Sequence, residues 1–246
     1  MSSRRKIMLL TGASRGIGHA TVKRFQAEGW RILTVSRQPF SEECRWPEAR
    51  ESHIQADLSD PAQVERLVEE VRERLPQGEL HALVNNAGIS PKGAGGSRLG
   101  ALDTDYATWM TVFNVNLIST ALLARCLFRE LSAAHGSVVN VTSIVGSRVH
   151  PIAGAAYACS KAALAALTRE LAFEFGAHGV RVNAIAPGEI DTAILSPGTE
   201  EIVERQIPMR RLGSAEEVAN TILFLCSPAS SYVNGAEIHI NGGQHV

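Results

Sequence analysis

Short apolar runs alternate with longer segments of helical period along this chain, and that alternation restricts the fold more than any other feature of the sequence. A run that is apolar on both faces suits a strand covered by helices on each side, and parallel strands need a helical crossover between them. Strands are expected at residues 6–10, 31–35, 53–56, 82–85, 137–142, 180–186 and 237–240, with helical segments opening near Gly16, Pro61, Asp105, Tyr157 and Ala215. Two of these openings are chemically explicit. Ser59-Asp60-Pro61 sets a cap before a proline, and Ser214 followed three residues later by Glu217 is a capping box. No fixed-period repeat or low-complexity linker divides the 246 residues, so residues 1–246 are expected to form one α/β domain around a parallel sheet of seven strands.

Charge narrows the partners. With 24 basic and 25 acidic side chains the formal net charge is −1, and the basic residues are scattered, so no nucleic-acid footprint is expected. Arg4-Arg5-Lys6 before Ile7 imitates the start of a signal peptide, but Thr11 and Gly12 end the apolar run too early. No stretch is read as the roughly 18 apolar residues of a membrane span. The 4 cysteines, Cys44, Cys126, Cys159 and Cys226, lie far apart and form no CxxC, which fits free thiols in a reducing cytoplasm. The histidines form no metal motif, so no metal is expected. Cys159 is read as a small packed thiol, and Trp30, Trp46 and Trp109 as packing residues.

After the first strand comes Thr11-Gly12-Ala13-Ser14-Arg15-Gly16-Ile17-Gly18. Glycines at this spacing supply a tight turn, a close backbone approach and a helix N-terminus that can accept a pyrophosphate. The order differs from GxGxxG, and the lysine of an ATP-type phosphate loop is absent. Where a dinucleotide site has an acidic residue for the ribose 2′-hydroxyl, at the end of the second strand, this chain has Ser36-Arg37. A guanidinium pairs with a 2′-phosphate that a carboxylate would repel, and Arg15 can approach from the other side. NADP(H) is therefore expected in preference to NAD(H).

Tyr157 and Lys161 stand four apart at the start of a helix and so share one face. A phenol is a poor base at neutral pH, and an adjacent ammonium favours its ionised form. Ser143 follows a strand whose carboxyl end is the usual ligand side of such sheets. The segment 91–100 holds four glycines and a proline, which excludes a helix interior. It reads either as a mobile substrate-facing loop or as a solvated linker.

Together, Thr11 to Gly18, Asn85-Asn86-Ala87-Gly88, Asn114-Val115-Asn116, Ser143, Tyr157-xxx-Lys161 and Pro187-Gly188 resemble, in order and approximate spacing, the short-chain dehydrogenase/reductase family. The resemblance implies a single doubly wound Rossmann-type α/β domain with a seven-stranded parallel sheet, matching the strand count read above, and a catalytic tetrad of Asn116, Ser143, Tyr157 and Lys161. Tyr157 would exchange a proton with a carbonyl oxygen, Ser143 would polarise that oxygen, Lys161 would lower the Tyr157 pKa and bind the nicotinamide ribose, and Asn116 would hold a relay water. It also implies cofactor contacts from Gly12, Ser14, Arg15, Gly16, Ile17, Gly18, Ser36, Arg37, Asp57, Leu58, Asn85, Ala87, Gly88, Pro187, Gly188, Ile190 and Thr192. Asn114 keeps a structural role.

The reaction implied is hydride transfer between NADP(H) and a small carbonyl or secondary alcohol. A 3-oxoacyl-carrier-protein reductase is the alternative, weakened because Ala134 and His178 occupy positions where those reductases carry basic residues for the acidic carrier. A nonenzymatic nucleotide-binding regulator on the same fold is a further rival, disfavoured by the intact Tyr157 and Lys161. Substrate loops are expected near 90–102 and 189–208. The resemblance also implies a homotetramer built on the long helical segments 105–131 and 157–175.

Overall fold

The structure, a computed structural model, describes residues 5–39, 49–192 and 198–246. Its elements run β1 (Ile7–Thr11), α1 (Gly16–Ala27), β2 (Arg31–Ser36), α2 (Ala49–Ser52), β3 (His53–Gln55), α3 (Pro61–Glu73), β4 (Ala82–Asn85), α4 (Tyr106–Phe113), a π-helical turn (Asn114–Ile118), α5 (Ser119–Cys126), α6 (Phe128–Ala133), β5 (Ser137–Val141), α7 (Ala155–Gly176), β6 (Arg181–Pro187), β7 (Ile190–Asp191), α8 (Thr199–Gln206), β8 (Gly213–Ser214), α9 (Ala215–Leu225) and β9 (Glu237–Ile240). Cys44, Trp46 and part of the expected loop 189–208 lie outside the described residues.

Seven strands pair in parallel in the order β3-β2-β1-β4-β5-β6-β9. The chain moves outward from β1 to β3 and then returns to β4, so the connections leave β1 and β4 in opposite directions. A crevice opens at their carboxyl ends. The register brings Thr11, Asn85 and Asn140 level across β1, β4 and β5.

Strand alternation builds two cores. In β1, Leu9 packs on one face with Leu33, Leu83 and Val138, while Met8 and Leu10 pack on the other with Val84 and Val139. The first face is covered by α3, α5, α6 and α7, contributing Leu67, Leu123, Leu131 and Leu171. The second is covered by α1 and α9, through Val22, Phe25, Val218 and Ile222. Burial on both faces explains why the strands read as continuous apolar runs.

Asp60 accepts from the Ala62 amide with Pro61 in the first turn of α3, and the Ser214–Glu217 capping box forms at α9. The segment expected as one helix from Asp105 to Leu131 is instead interrupted. The π-helical turn inserts at Asn114–Ile118, and the backbone kinks at Leu127, φ −97° and ψ 11°. Asn114 donates to Ser59 O at 3.1 Å and Asn116 bonds to the backbone of Ile89, contacts that a regular helix would not offer together. The reading of membrane-spanning potential also needs correcting. Tyr106–Cys126 is long and apolar enough to cross a membrane by length and composition, with a mean hydropathy of 1.3, yet Val112, Val115, Leu123 and Ala124 are buried within the fold.

Candidate active site

Gly12 leaves β1 at φ +72°, and a Cβ there would stand 2.8 Å from Ala87 Cα. A Cβ on Gly18 would overlap Gly12 O, so α1 can begin directly above the turn only with glycine at that position. Asn86 closes the turn from β4, its Nδ2 donating to Thr11 O at 3.1 Å and Gly12 O at 2.9 Å. Arg15 caps α1 without a side-chain hydrogen bond, leaving the first-turn amides available to an anion.

A cavity of about 520 Å³ opens in front of this turn, lined by Gly12, Ser14, Arg15, Ser36, Arg37, Asp57, Leu58, Ala87 and Gly88. Gln38, Asn86, Ile89 and Val115 also line it and were not singled out from the sequence. Both arginines are exposed at its rim. Asp57 is fixed by accepting from Ser59 N at 2.9 Å and Ser59 Oγ at 2.8 Å, which aligns the turn into α3 beside the cavity. The loop after β6 reaches the glycine turn, bringing Thr192 against Gly16; a Cβ on Gly16 would lie 3.2 Å from Thr192 Cγ2. Pro187 ends β6, and Gly188 N donates to Ile240 O at 3.0 Å.

The tetrad residues meet beside Gly88. Asn116, 1% exposed, accepts from Ile89 N at 2.8 Å and donates to Ile89 O at 3.0 Å and to Ser160 Oγ at 3.0 Å. Ser160 Oγ in turn donates to Tyr157 O at 2.8 Å, so this serine, missed in the sequence, joins the π-helical turn to α7 one residue before Lys161. A Cβ on Gly88 would stand 3.3 Å from Lys161 Nζ and 3.5 Å from Asn116 Oδ1. Ser143 caps the turn after β5, its Oγ accepting from Val145 N, and its side chain acts on the Tyr157 phenol to lower its pKa.

The electrostatics depart from expectation. Tyr157 has a pKa raised chiefly by burial, with the Ser143 side chain lowering it and the Glu189 charge raising it further. Lys161 Nζ lies 5.7 Å from the centre of the Tyr157 ring and donates to Val141 O at 2.6 Å, and burial brings its own pKa down to about 8. Burial, rather than the expected lowering by Lys161, sets the direction of the Tyr157 shift in this structure.

Three further readings change. Asn85 is buried in β4 and donates to Asn140 Oδ1 at 2.9 Å, which binds the neighbouring strands together rather than facing the cavity. The Ile190 side chain joins the core on the α1–α9 face. Cys159 is exposed, not packed, because it occupies the outward side of α7. Trp30 is a packing residue, edge-on to Phe25 at 5.0 Å, and Trp109 tilts against Phe113. Among the described residues no group of metal-ligating side chains converges. The glycine-rich segment 91–100 is latched to the chain entering α7, through Ala155 N to Leu99 O at 2.9 Å, Lys92 Nζ to Ile152 O at 2.7 Å and Arg98 Nε to Ala153 O at 2.8 Å.

Comparison with known proteins agrees with this geometry. The family model described as enoyl-(acyl carrier protein) reductase matches residues 12–245. Protein FixR of Bradyrhizobium diazoefficiens is 60% identical over 98% of this chain and 87% of its own, and the 3-oxoacyl-[acyl-carrier-protein] reductase FabG of Escherichia coli is 32% identical over 98% of both. A crystal structure of a short chain dehydrogenase/reductase family oxidoreductase from Brucella ovis, in complex with a partially ordered NAD, is 60% identical, with a TM-score of 0.85 over 97% of this chain and 100% of that one. A 3-oxoacyl-[acyl-carrier protein] reductase with bound NAD from Brucella melitensis is 32% identical, with a TM-score of 0.89 over 100% of this chain and 93% of that one. The family match spans nearly the whole sequence and the fold coincides with that of the solved relatives, so the chain belongs to the short-chain dehydrogenase/reductase family of oxidoreductases.

Proposed function

We propose that the protein is an NADP(H)-dependent carbonyl reductase, working in reverse as an alcohol dehydrogenase on a small polar substrate. The observation that carries this reading is the Tyr157 ring 5.7 Å from the ammonium of Lys161, which is buried and anchored on Val141 O, at the carboxyl edge of the sheet where Ser143 also acts on the phenol. A bound reduced nicotinamide supplies the hydride. Tyr157 holds its phenol proton at neutral pH, as an ordinary tyrosine does, with burial favouring that form further, and delivers that proton to the substrate oxygen in reduction. Ser143 Oγ donates to the same oxygen as negative charge develops on it. Lys161, buried and anchored on Val141 O, keeps positive charge behind the phenol so that the phenolate left after proton transfer is stabilised.

The cavity residues fit the cofactor. Gly12 and Ser14 of the glycine turn line it, and Arg15 and Arg37 line it with them, which supports recognition of a 2′-phosphate. Solved relatives carry either form: the Brucella structures NAD, and ElxO NADP. The preference is thus a property to measure on this chain.

A 3-oxoacyl-carrier-protein reductase is the second reading, favoured by the FabG relatives. Against it stand Ala134, and His178 with its ring edge-on to Phe128 at 5.0 Å, where an acidic carrier would need cations. Relatives at similar identity include a meso-2,3-butanediol dehydrogenase from Serratia marcescens. We also propose a homotetramer, supported by large apolar side chains left exposed on the long helices, Met110, Ile118 and Phe173.

The test is NADPH oxidation followed across ketones, keto-sugars and acyl thioesters, with Tyr157→Phe as control. Turnover of small ketones that falls by at least a hundredfold in the variant supports the reading. Near wild-type turnover in folded Tyr157→Phe overturns the mechanism.

A further inference from the structure

Residues 241–246, which follow β9, pack against three segments bordering the site. Against the loop after β6, a Cβ on Gly188 would stand 2.6 Å from Asn241 Cβ and 2.8 Å from Gln244 Oε1. Against the chain leaving α8, Met209 N donates to Gly242 O at 3.2 Å, and a Cβ on Gly242 would stand 2.8 Å from Ile207 Cγ2. The third contact is Arg148, in the loop after β5. Its Nη1 donates to Gln244 O, and its Nη2 donates to Gln206 Oε1 at the end of α8 at 3.4 Å. Residues 241–246 are themselves well held. Gln244 is 1% exposed, its backbone amide donates to Asn241 O at 3.0 Å, and the His245 ring stacks on His239 of β9 with centroids 4.0 Å apart.

Arg148 follows closely on the turn that Ser143 caps, and Ser147 Oγ closes that turn by donating to Ile144 O at 3.0 Å. Both acceptors of the Arg148 guanidinium are neutral, so its planar fork serves here to span two segments. The same loop makes a second crossing, with His150 Nε2 2.9 Å from Glu189 Oε1 in the loop after β6. These two loops carry the two side chains that act on the Tyr157 phenol from outside α7, Ser143 and Glu189. A reacting group misplaced by about 1 Å can cost roughly a hundredfold in rate, so a bond that fixes such a loop bears on the chemistry. Resting on the carbonyl reductase reading, we infer that Arg148 is a positioning residue for the reaction: by bonding residue 244 and α8 at once it holds the loop after β5, and with it Ser143, in place beside Tyr157.

The test is Arg148→Ala, which removes an exposed side chain and leaves both apolar cores intact. With a ketone that the wild type reduces, kcat should fall by about tenfold, while KM for the ketone and Kd for NADPH change by less than about twofold. Arg148→Lys keeps one charged donor but not the fork, and should recover part of the loss. In a Ser143→Ala background the further change Arg148→Ala should cost little, because the residue it acts through is already gone. An unchanged kcat in Arg148→Ala overturns the inference. So does an equal loss in both backgrounds, or a loss confined to NADPH affinity and melting temperature, which would mark a purely structural role. If the wild type reduces no ketone, the reductase reading fails and hydrogen exchange decides the fastening. Faster exchange at the Val145 and Met209 amides in Arg148→Ala supports it, and unchanged exchange overturns it.

Discussion

Lys161 Nζ donates to Val141 O at 2.6 Å and lies 5.7 Å from the centre of the Tyr157 ring, so the cation of this site is anchored to β5 and sits behind the phenol. Burial lowers its pKa to about 8 and raises that of Tyr157. As pH rises, Lys161 loses its charge before the phenol ionises. We expect kcat/KM for carbonyl reduction to be level near neutrality and to fall above about pH 8, since that parameter reports the free enzyme. Lys161→Arg, whose charge persists past pH 12, should be slower but lack this limb. Stability moves the other way. An unfolded lysine holds its proton to about pH 10.4, so the unfolded chain binds more protons between the two values and the contribution of this group rises with pH across that window. A pH–rate profile without a limb near 8 would contradict the assignment.

Arg37 and Arg15 frame the cavity beside Ser36 at the end of β2. Replacing Arg37 with aspartate puts a carboxylate where a 2′-phosphate would lie. A charge-assisted hydrogen bond is worth about 1.5 to 3 kcal/mol, so NADPH affinity should fall by roughly tenfold or more, with NADH little affected or improved. Cofactor titration by fluorescence checks this, and unchanged constants for both nucleotides would remove Arg37 from the site.

Legibility in the sequence followed the range of the forces involved. The seven strands are local patterns of residues buried on both faces, and each expected strand overlaps an observed one with ends within one residue of it. The caps at Asp60 and Ser214 are equally local. The π-helical turn at Asn114–Ile118 was not legible, because it depends on Ser59 and Ile89 arriving from other connections. Asn85 was assigned to the cofactor from its motif, whereas its partner Asn140 is set by strand register. His150 and Glu189 were invisible for the same reason: their meeting depends on how β5 and β6 pair.

Phe173 is 86% exposed on α7, and Met110 and Ile118 are exposed along the helix from Tyr106 to Cys126. Such side chains are costly in water unless another surface covers them. In the proposed homotetramer they face neighbouring subunits. Phe173→Glu would bring a charge into that contact and should yield dimers or monomers by light scattering. A wild-type monomer would refute the assembly.

Acid should weaken the start of α9. Glu217 accepts from Ser214 N at 2.8 Å and is bridged by Arg211 at 2.7 and 2.9 Å. The Arg211 hydrogen bond, then that from Ser214, lowers its pKa to about 2. A depressed carboxylate contributes stability above its unfolded value of about 4.3, and that contribution is lost as pH falls toward about 2. The helix it caps buries Val218, Ile222 and Leu225 and packs against α1, whose N-terminus follows the glycine turn. Ser214→Ala should cost about 1 kcal/mol at neutral pH by removing the cap. Glu217→Gln should lower the melting temperature at pH 7 and flatten its fall between pH 4.5 and 2.5. A variant that still follows the wild-type acid curve would show that another carboxylate governs it.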